Sequence, residues 1–241
     1  MLTNYYKAIL TNRHPQRESK FVHYIDRGRM EKFFEGETIA KGCNGDDDPY
    51  LYYIVSGKVK ICYQRSDCSE LVLFYRERGN IFQAEYKRFA SICSDRLRFI
   101  AAENTVAVAF TKAQVYELFC EDKELLDEFL LTVHLTYASF AQRLVNTAYL
   151  TSGTRLLTWL NKLCAFSEPT EEGYYELPCD LTQQQIADLL FIHVSTCNKL
   201  FSFLEKENLV KKTKNHIVVY DWLKLREYLE TEEIFWLENK K

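Results

Sequence analysis

Apolar residues along this chain change period three times. From Arg29 to Phe110 they come in short runs: Thr38 to Ala40, Leu51 to Val55, Lys58 to Tyr63, Leu71 to Tyr75, Asn80 to Gln83 and Thr105 to Phe110. Gly36, Gly42, Gly45, Gly57 and Gly79 punctuate them. Many short strands at close spacing predict an antiparallel barrel or jelly roll. From Lys123 to Tyr149 the chain has neither Gly nor Pro, and Leu126, Leu130, Val133, Tyr137, Phe140 and Leu144 alternate at steps of four and three. That is a heptad seam. Leu131, Leu135, Ala138 and Val145 widen the apolar arc, so the helix faces its own barrel on one side and a partner's equivalent helix on the other. A single wide core face in a monomer would show the same pattern. Residues 1 to about 28 are mixed, with one short helix near Tyr5 to Leu10.

After Thr151-Ser152-Gly153 breaks the long helix, another is expected from Thr154 to Cys164, then two short ones between Leu181 and Val210. Thr182 is a good N-cap for the first, which buries Ile186, Leu189 and Leu190. In the second, Cys197, Leu200, Phe201 and Leu204 fall at i, i+3, i+4, i+7, while Ser195, Asn198, Lys199 and Ser202 repeat that spacing on the opposite side. An ordinary helical hairpin with a solvated face shares this pattern. The sequel separates them: Val210 to Tyr220 reads as two strands around a basic turn, which makes the winged form of a helix-turn-helix. A last helix carries Trp222, Leu225, Leu229 and Trp236.

Charge supports that assignment only locally. The 241 residues sum to −3. Yet Thr182 to His216 holds Lys199, Lys206, Lys211, Lys212 and Lys214 against Asp188, Glu205 and Glu207, five minus three, so positive charge gathers where phosphate would be met. The eight cysteines are scattered, with no CxxC pair or zinc spacing, and no metal site is expected. Cys43 to Pro49 lacks the spaced ligands and terminal Glu of a calcium loop and reads as a solvated turn. The five histidines, at 14, 23, 134, 193 and 216, form no HxH or nucleophile–base motif, so a catalytic jelly roll is disfavoured and no catalytic residue is assigned. No signal-peptide core or membrane-length apolar run is present; the expectation is a cytoplasmic protein with reduced thiols and no membrane partner.

Two stretches resemble the CRP/FNR superfamily of bacterial transcription regulators. Phe34-Glu35-Gly36-Glu37-Thr38-Ile39 with Leu51-Tyr52-Tyr53-Ile54-Val55-Ser56-Gly57-Lys58-Val59-Lys60 is similar to the glycine-punctuated cyclic-nucleotide-binding barrel, and Leu181 to Val210 is similar to the DNA-reading motif. With the connecting helix, the resemblance covers nearly the whole chain. It implies an α+β fold: a β-roll effector domain over 1–122, a dimerisation helix over 123–150, and a winged helix-turn-helix DNA-binding domain over 151–241. It implies a homodimer on double-stranded DNA at a palindromic operator, with RNA polymerase a possible further partner.

The departures narrow what carries over. Cyclic-AMP-binding members grip phosphate and ribose with a GEL-type turn and an Arg-Ser pair. Here the stretches read Gly79-Asn80-Ile81-Phe82-Gln83-Ala84-Glu85-Tyr86 and Arg96-Leu97-Arg98, so Arg96 can hold the arginine's place but the serine is gone. The adenine-contacting Thr-Ser pair falls near Phe140-Ala141, without hydroxyls. Too few donors remain, and no cyclic AMP binding is expected. The cysteine cluster of iron–sulfur members and any haem set are absent too, so no cofactor is predicted. What the resemblance leaves is a degenerate pocket of Phe82, Gln83, Glu85, Arg96, Arg98, Tyr137 and Phe140, either open to a small, partly aromatic effector or filled and silent. Redox control through Cys43, Cys62, Cys68 or Cys93 is an alternative, as is an adaptor that has lost DNA recognition.

In the recognition helix, Val194-Ser195 and Lys199 stand where members with the best-known operators have Arg-Glu and Arg. The usual corner Gly is Phe191, and the usual capping Ser is His193. Bidentate Arg–guanine and Glu–cytosine contacts are therefore missing. The residues left to meet DNA are Thr182, Gln183 and Gln184 at the first helix, Ser195, Thr196, Asn198, Lys199 and Ser202 on the second, and Lys211, Lys212 and Lys214 in the wing.

Overall fold

The run Leu51-Tyr52-Tyr53-Ile54 is buried at every position, which a half-solvated strand cannot be. It lies in a sheet covered on both faces. A computed structural model of the protein describes residues 19–40, 48–64, 70–84, 97–165, 167–179 and 181–231. The short helix expected near Tyr5 to Leu10, the turn from Cys43 to Asp47, Cys68, Cys93, Glu85, Arg96 and Trp236 lie outside the described residues.

A 3₁₀ helix (Lys20–Arg27) precedes eight strands, β1 (Arg29–Phe33), β2 (Thr38–Ala40), β3 (Pro49–Ser56), β4 (Lys58–Gln64), β5 (Glu70–Glu77), β6 (Ile81–Gln83), β7 (Leu97–Ala101) and β8 (Thr105–Thr111). They form two antiparallel sheets in the orders β1-β8-β3-β6 and β2-β7-β4-β5. Between the sheets, Tyr52, Ile54, Phe82, Ala107 and Ala109 of the first meet Ile39, Val59, Ile61, Phe99 and Ala101 of the second. Phe82 is the middle ring of an aromatic stack, 4.9 Å from Tyr52 at an interplanar angle of 5° and 5.5 Å from Phe99 at 19°. The outer face of the first sheet, Leu51, Tyr53, Ile81, Val108 and Phe110, packs with Phe21 of the 3₁₀ helix, Val115 and Leu118 of α1 (Lys112–Glu121), and Leu125 of α2 (Lys123–Tyr149). β3 thus alternates between two apolar environments, so its sequence shows no polar phase.

Thr111 starts α1 with a capping box, its hydroxyl accepting from the Gln114 N–H while Gln114 answers the Thr111 N–H. The head of α2 is tied to the 3₁₀ helix through Glu128, which accepts from the Lys20 N–H at 2.9 Å and from the Ser19 hydroxyl. Further along α2, Leu130, Val133, Tyr137, Phe140 and Leu144 are exposed and Leu126 is half-buried.

The chain divides into a compact unit over Asn12–Tyr137 and another taking in Ala138–Lys241, with the boundary inside α2. The second contains α3 (Ser152–Ala165), α4 (Gln183–Leu190), α5 (Val194–Lys206), α6 (Trp222–Thr231) and a three-stranded sheet, β10 (Val210–Lys212), β11 (His216–Val219) and β9 (Tyr175–Pro178). Its core is built on Leu156, Leu157, Leu160, Ile186 and Leu204, all fully buried. No helix among the described residues is long and apolar enough to cross a membrane. The 3₁₀ helix, β1, β7, β9 and α1 were not foreseen from the apolar pattern; each is short, at ten residues or fewer.

Gly57 makes the β3–β4 turn at φ 91°, a region L-residues avoid. A Cβ there would lie 2.5 Å from the Asn104 carbonyl oxygen and 2.6 Å from Thr105 Cα. Backbone strain and backbone contact therefore act together. Gly57→Ala is expected to lower unfolding free energy by about 2 kcal/mol or more, measured by denaturant unfolding; a change near zero would contradict this account of the turn.

Candidate nucleic-acid interface

The interface is built from α4, the corner after it, α5 and the β10–β11 wing. Thr182 caps α4 reciprocally: its Oγ1 accepts from the Gln185 N–H at 3.2 Å, and Gln185 Oε1 accepts from the Thr182 N–H at 2.8 Å. The helix ends in a Schellman arrangement, with the Ile192 N–H on the Ala187 carbonyl at 3.0 Å and the Phe191 N–H on the Asp188 carbonyl at 3.2 Å. This geometry needs a left-handed residue, and Phe191 supplies it at φ 51°, ψ 46°. The turn is as sharp as with glycine. An L-residue in that conformation costs roughly 1–2 kcal/mol.

A buried arginine offsets this cost. Arg143, 9% exposed on α2, places its guanidinium 4.2 Å from the Phe191 ring centre and donates from Nη2 to the Asp188 carbonyl at 3.2 Å. Burial pushes its pKa down to about 10, with Asp188 opposing the shift, so it stays cationic at neutral pH. A desolvated cation over an aromatic face is worth about 2 kcal/mol, comparable to the strain. Sequence reasoning missed Arg143; an unexplained cation on an apolar helix was its only signal.

Beyond the corner, His193 caps α5 with a ring nitrogen. Nδ1 accepts from the Ser195 N–H at 3.2 Å and sits 2.8 Å from the Ser195 hydroxyl. Cys197, Leu200, Phe201 and Leu204 are buried, leaving Ser195, Asn198, Lys199 and Ser202 exposed and Thr196 half-buried. α5 therefore presents the polar face anticipated for it, although the Ser195 hydroxyl is engaged by its own cap. On α4, Gln183 is half-buried, while Gln184 is exposed and donates to Asp188 Oδ1 at 2.9 Å.

The wing needs one correction. Lys211 and Lys214 are exposed, but the Lys212 ammonium donates to the carbonyls of Cys179 (3.2 Å), Lys214 (3.4 Å) and Thr213. It closes the wing turn instead of standing free for phosphate. β9 adds a third strand, pairing Ile217 with Leu177 and Val219 with Tyr175.

Of the expected effector residues, Phe82, Gln83, Arg98 and Tyr137 are described in the first unit. Phe82 is held in its aromatic stack, Gln83 and Tyr137 are exposed, and half-buried Arg98 donates to the Leu97 carbonyl at 3.1 Å. Phe140, also exposed, falls in the second unit. Cys62 is buried, and burial pushes its thiol up to about 11, which works against a redox role.

With this geometry in place, comparison with known proteins shows what the chain is similar to. Residues 154–228 match the Crp-like helix-turn-helix domain. The cAMP-activated global transcriptional regulator CRP of Haemophilus influenzae is 24% identical over 209 residues, covering 85% of this chain and 90% of that protein. The C-terminal part therefore matches a Crp-like helix-turn-helix, and the chain as a whole is similar to regulators of the CRP/FNR family. Among solved structures, OCPA-complexed CprK superposes with a TM-score of 0.74 at 22% identity, over 85% of this chain and 92% of that one. A CooA mutant from Carboxydothermus hydrogenoformans gives 0.75 at 15% identity, over 91% and 99%. Both carry the same α+β fold. Regulators of this family bind DNA and act as dimers; the family is not one of enzymes.

If Arg143 compensates Phe191, the two residues are coupled. Arg143→Leu is expected to cost about 2 kcal/mol in the native background and clearly less in a Phe191→Gly background, where the left-handed corner is unstrained. A double-mutant cycle by denaturant unfolding measures the difference, and additive costs would contradict the coupling.

Proposed function

We propose that this regulator is a homodimer that reads a palindromic operator through α5 and the wing, in the cytoplasm, and contacts RNA polymerase where it activates. On this reading residues 1–122 are the effector domain, 123–150 the dimerisation helix and 151–241 the DNA-binding domain. Two recognition helices enter successive major grooves about 34 Å apart. The observation that carries the reading is the exposed polar face of α5, with Asn198 and Lys199 projecting beside a wing that exposes Lys211 and Lys214. Asn198 can read adenine and Lys199 guanine, while the wing lysines take phosphate.

Dimerisation follows from α2. Leu130, Tyr137 and Leu144 are 54%, 70% and 72% exposed in the single chain, a stripe that water would penalise and a matching helix would cover. The barrel senses a small effector other than cyclic AMP, or the regulator is constitutively active. The missing Arg-Ser and Thr-Ser hydroxyls support the first half of that statement.

Selection of genomic fragments should return a palindrome. Lys199→Ala should weaken binding to it at least tenfold, consistent with about 1–3 kcal/mol for a base contact. Lys211→Ala should weaken all sequences alike and reduce the slope of log affinity against log salt by about 0.9. Unchanged DNA binding in Lys199→Ala would favour the adaptor alternative. Separately, Leu130→Glu combined with Leu144→Glu should convert the dimer to monomer in sedimentation, with operator affinity falling in step; a persistent dimer would place the interface elsewhere.

A further inference from the structure

Between the end of α2, one face of α3 and the end of α4 lies a cleft with about 550 Å³ of empty space, part of it open solvent. Every residue that lines it belongs to the unit taking in Ala138–Lys241. Two of its walls are helix faces at i, i+3, i+4, i+7 spacing: Ser139, Gln142, Arg143 and Asn146 on α2, and Arg155, Thr158, Trp159 and Lys162 on α3. At roughly 100° per residue, that α2 face points largely away from the exposed stripe of Tyr137, Phe140 and Leu144. A dimer joined through the stripe therefore does not compete for the cleft.

The lining has two kinds of chemistry. Trp159 and, from α4 and the corner, Leu190 and Phe191 are apolar. Arg143, Arg155 and Lys162 bring three cations, and among the described residues no carboxylate lines the cleft. Asp188, whose charge Arg143 feels, stands outside the lining and accepts from Gln184 at 2.9 Å. Three like charges around one cleft repel one another, and an anion with more than one charge relieves them.

We propose that this cleft is a binding site for an organic phosphate monoester, its phosphate met by Arg155 and Lys162 and its organic body laid against Trp159, Leu190 and Phe191. Arg155 and Lys162 are two turns apart on α3, roughly 10 Å along the axis, a span that two long side chains can close on one phosphate. Arg143 is already engaged with the Phe191 ring and the Asp188 carbonyl, so its part is charge rather than contact. A monoester carries about two negative charges at neutral pH, which suits three cations better than the single charge of a carboxylate or a cyclic phosphodiester. Guanidinium and ammonium are both good partners for phosphate oxygens. The apolar walls add affinity for an organic group that inorganic phosphate lacks. An occupant would touch α2, α3 and the corner together. The site needs neither operator binding nor a sensing barrel.

The test uses the full chain without DNA, in chloride buffers of matched ionic strength, with phenyl phosphate, inorganic phosphate, benzoate and cyclic AMP as probes. Phenyl phosphate should raise the unfolding temperature saturably, and inorganic phosphate only at higher concentration. Benzoate and cyclic AMP should do no more than chloride. Lys162→Met removes one cation, and Gln142→Glu sets a carboxylate into the α2 wall at unchanged length. Each should raise the phenyl phosphate concentration for half-effect roughly tenfold or more, with the probe-free unfolding temperature close to wild type. Lys211→Ala combined with Lys214→Ala should leave the phenyl phosphate response as it is. No saturable shift from phenyl phosphate overturns the proposal, as does an equal shift from benzoate or an undiminished shift in either cleft variant. A shift lost with the wing lysines also overturns it, because the anion would then sit on the wing. Fragment selection by the same wild-type sample tests the operator reading separately, since either result can hold without the other.

Discussion

A helix of 27 residues that is apolar over most of its circumference cannot stand in water by itself. It folds because several bodies divide its surface among them. The first turns of α2 give Leu125 to the cluster on the outer face of the first sheet, with Phe129 packed against it, and Glu128 anchors the 3₁₀ helix. Residues from Leu130 to Leu144 leave an apolar stripe facing solvent in the single chain. Arg143, one position before that stripe ends, belongs to the corner of the helix-turn-helix. A single helix thus supplies a core residue, an exposed apolar stripe and the residue that holds the helix-turn-helix corner. Leu125 lies in the first unit and Arg143 in the second, so the helix contributes to both.

The DNA-reading unit is a set of compromises rather than a standard part. Phe191 stands where glycine is usual and adopts glycine's conformation; His193 stands where serine is usual and caps through Nδ1. In each case the backbone hydrogen bonds are kept and the side-chain chemistry has changed. The aromatic ring then provides a landing place for the Arg143 guanidinium, which glycine could not. The consequence for recognition is different at the two positions. His193 occupies the neighbourhood of the Ser195 hydroxyl, while Asn198 and Lys199 stay exposed on the same helix.

The strands and helices that the sequence made legible are those whose apolar residues repeat enough times to define a phase. β3, β4, β5 and β8, the seam of α2, the buried stripe of α5 and the wing hairpin all fall into that class. β1 (Arg-Met-Glu-Lys-Phe) has a charge on three of five positions, and α1 buries only Val115 and Leu118, so neither offers a period to detect. Thr182 was legible as a cap because its role is local. Lys212 was not: whether a wing lysine faces phosphate or closes its own turn depends on where the Cys179 carbonyl arrives from β9, a strand of four residues. Phe82 followed the same rule, since membership of a ring stack with Tyr52 and Phe99 depends on the pairing of two sheets.

Arg76 and Arg143 show how much turns on partners rather than on burial. Both are deeply buried, both have their pKa drawn down to about 10, and both bridge α2 to a neighbouring element. Arg143 faces an aromatic ring and a backbone carbonyl and feels the charge of Asp188, so its cost is met within the fold and it serves as a structural clamp. Among the described residues, Arg76 has a ring and two neutral acceptors, and burial draws its pKa down. An uncompensated charge inside a barrel is unfavourable for folding alone.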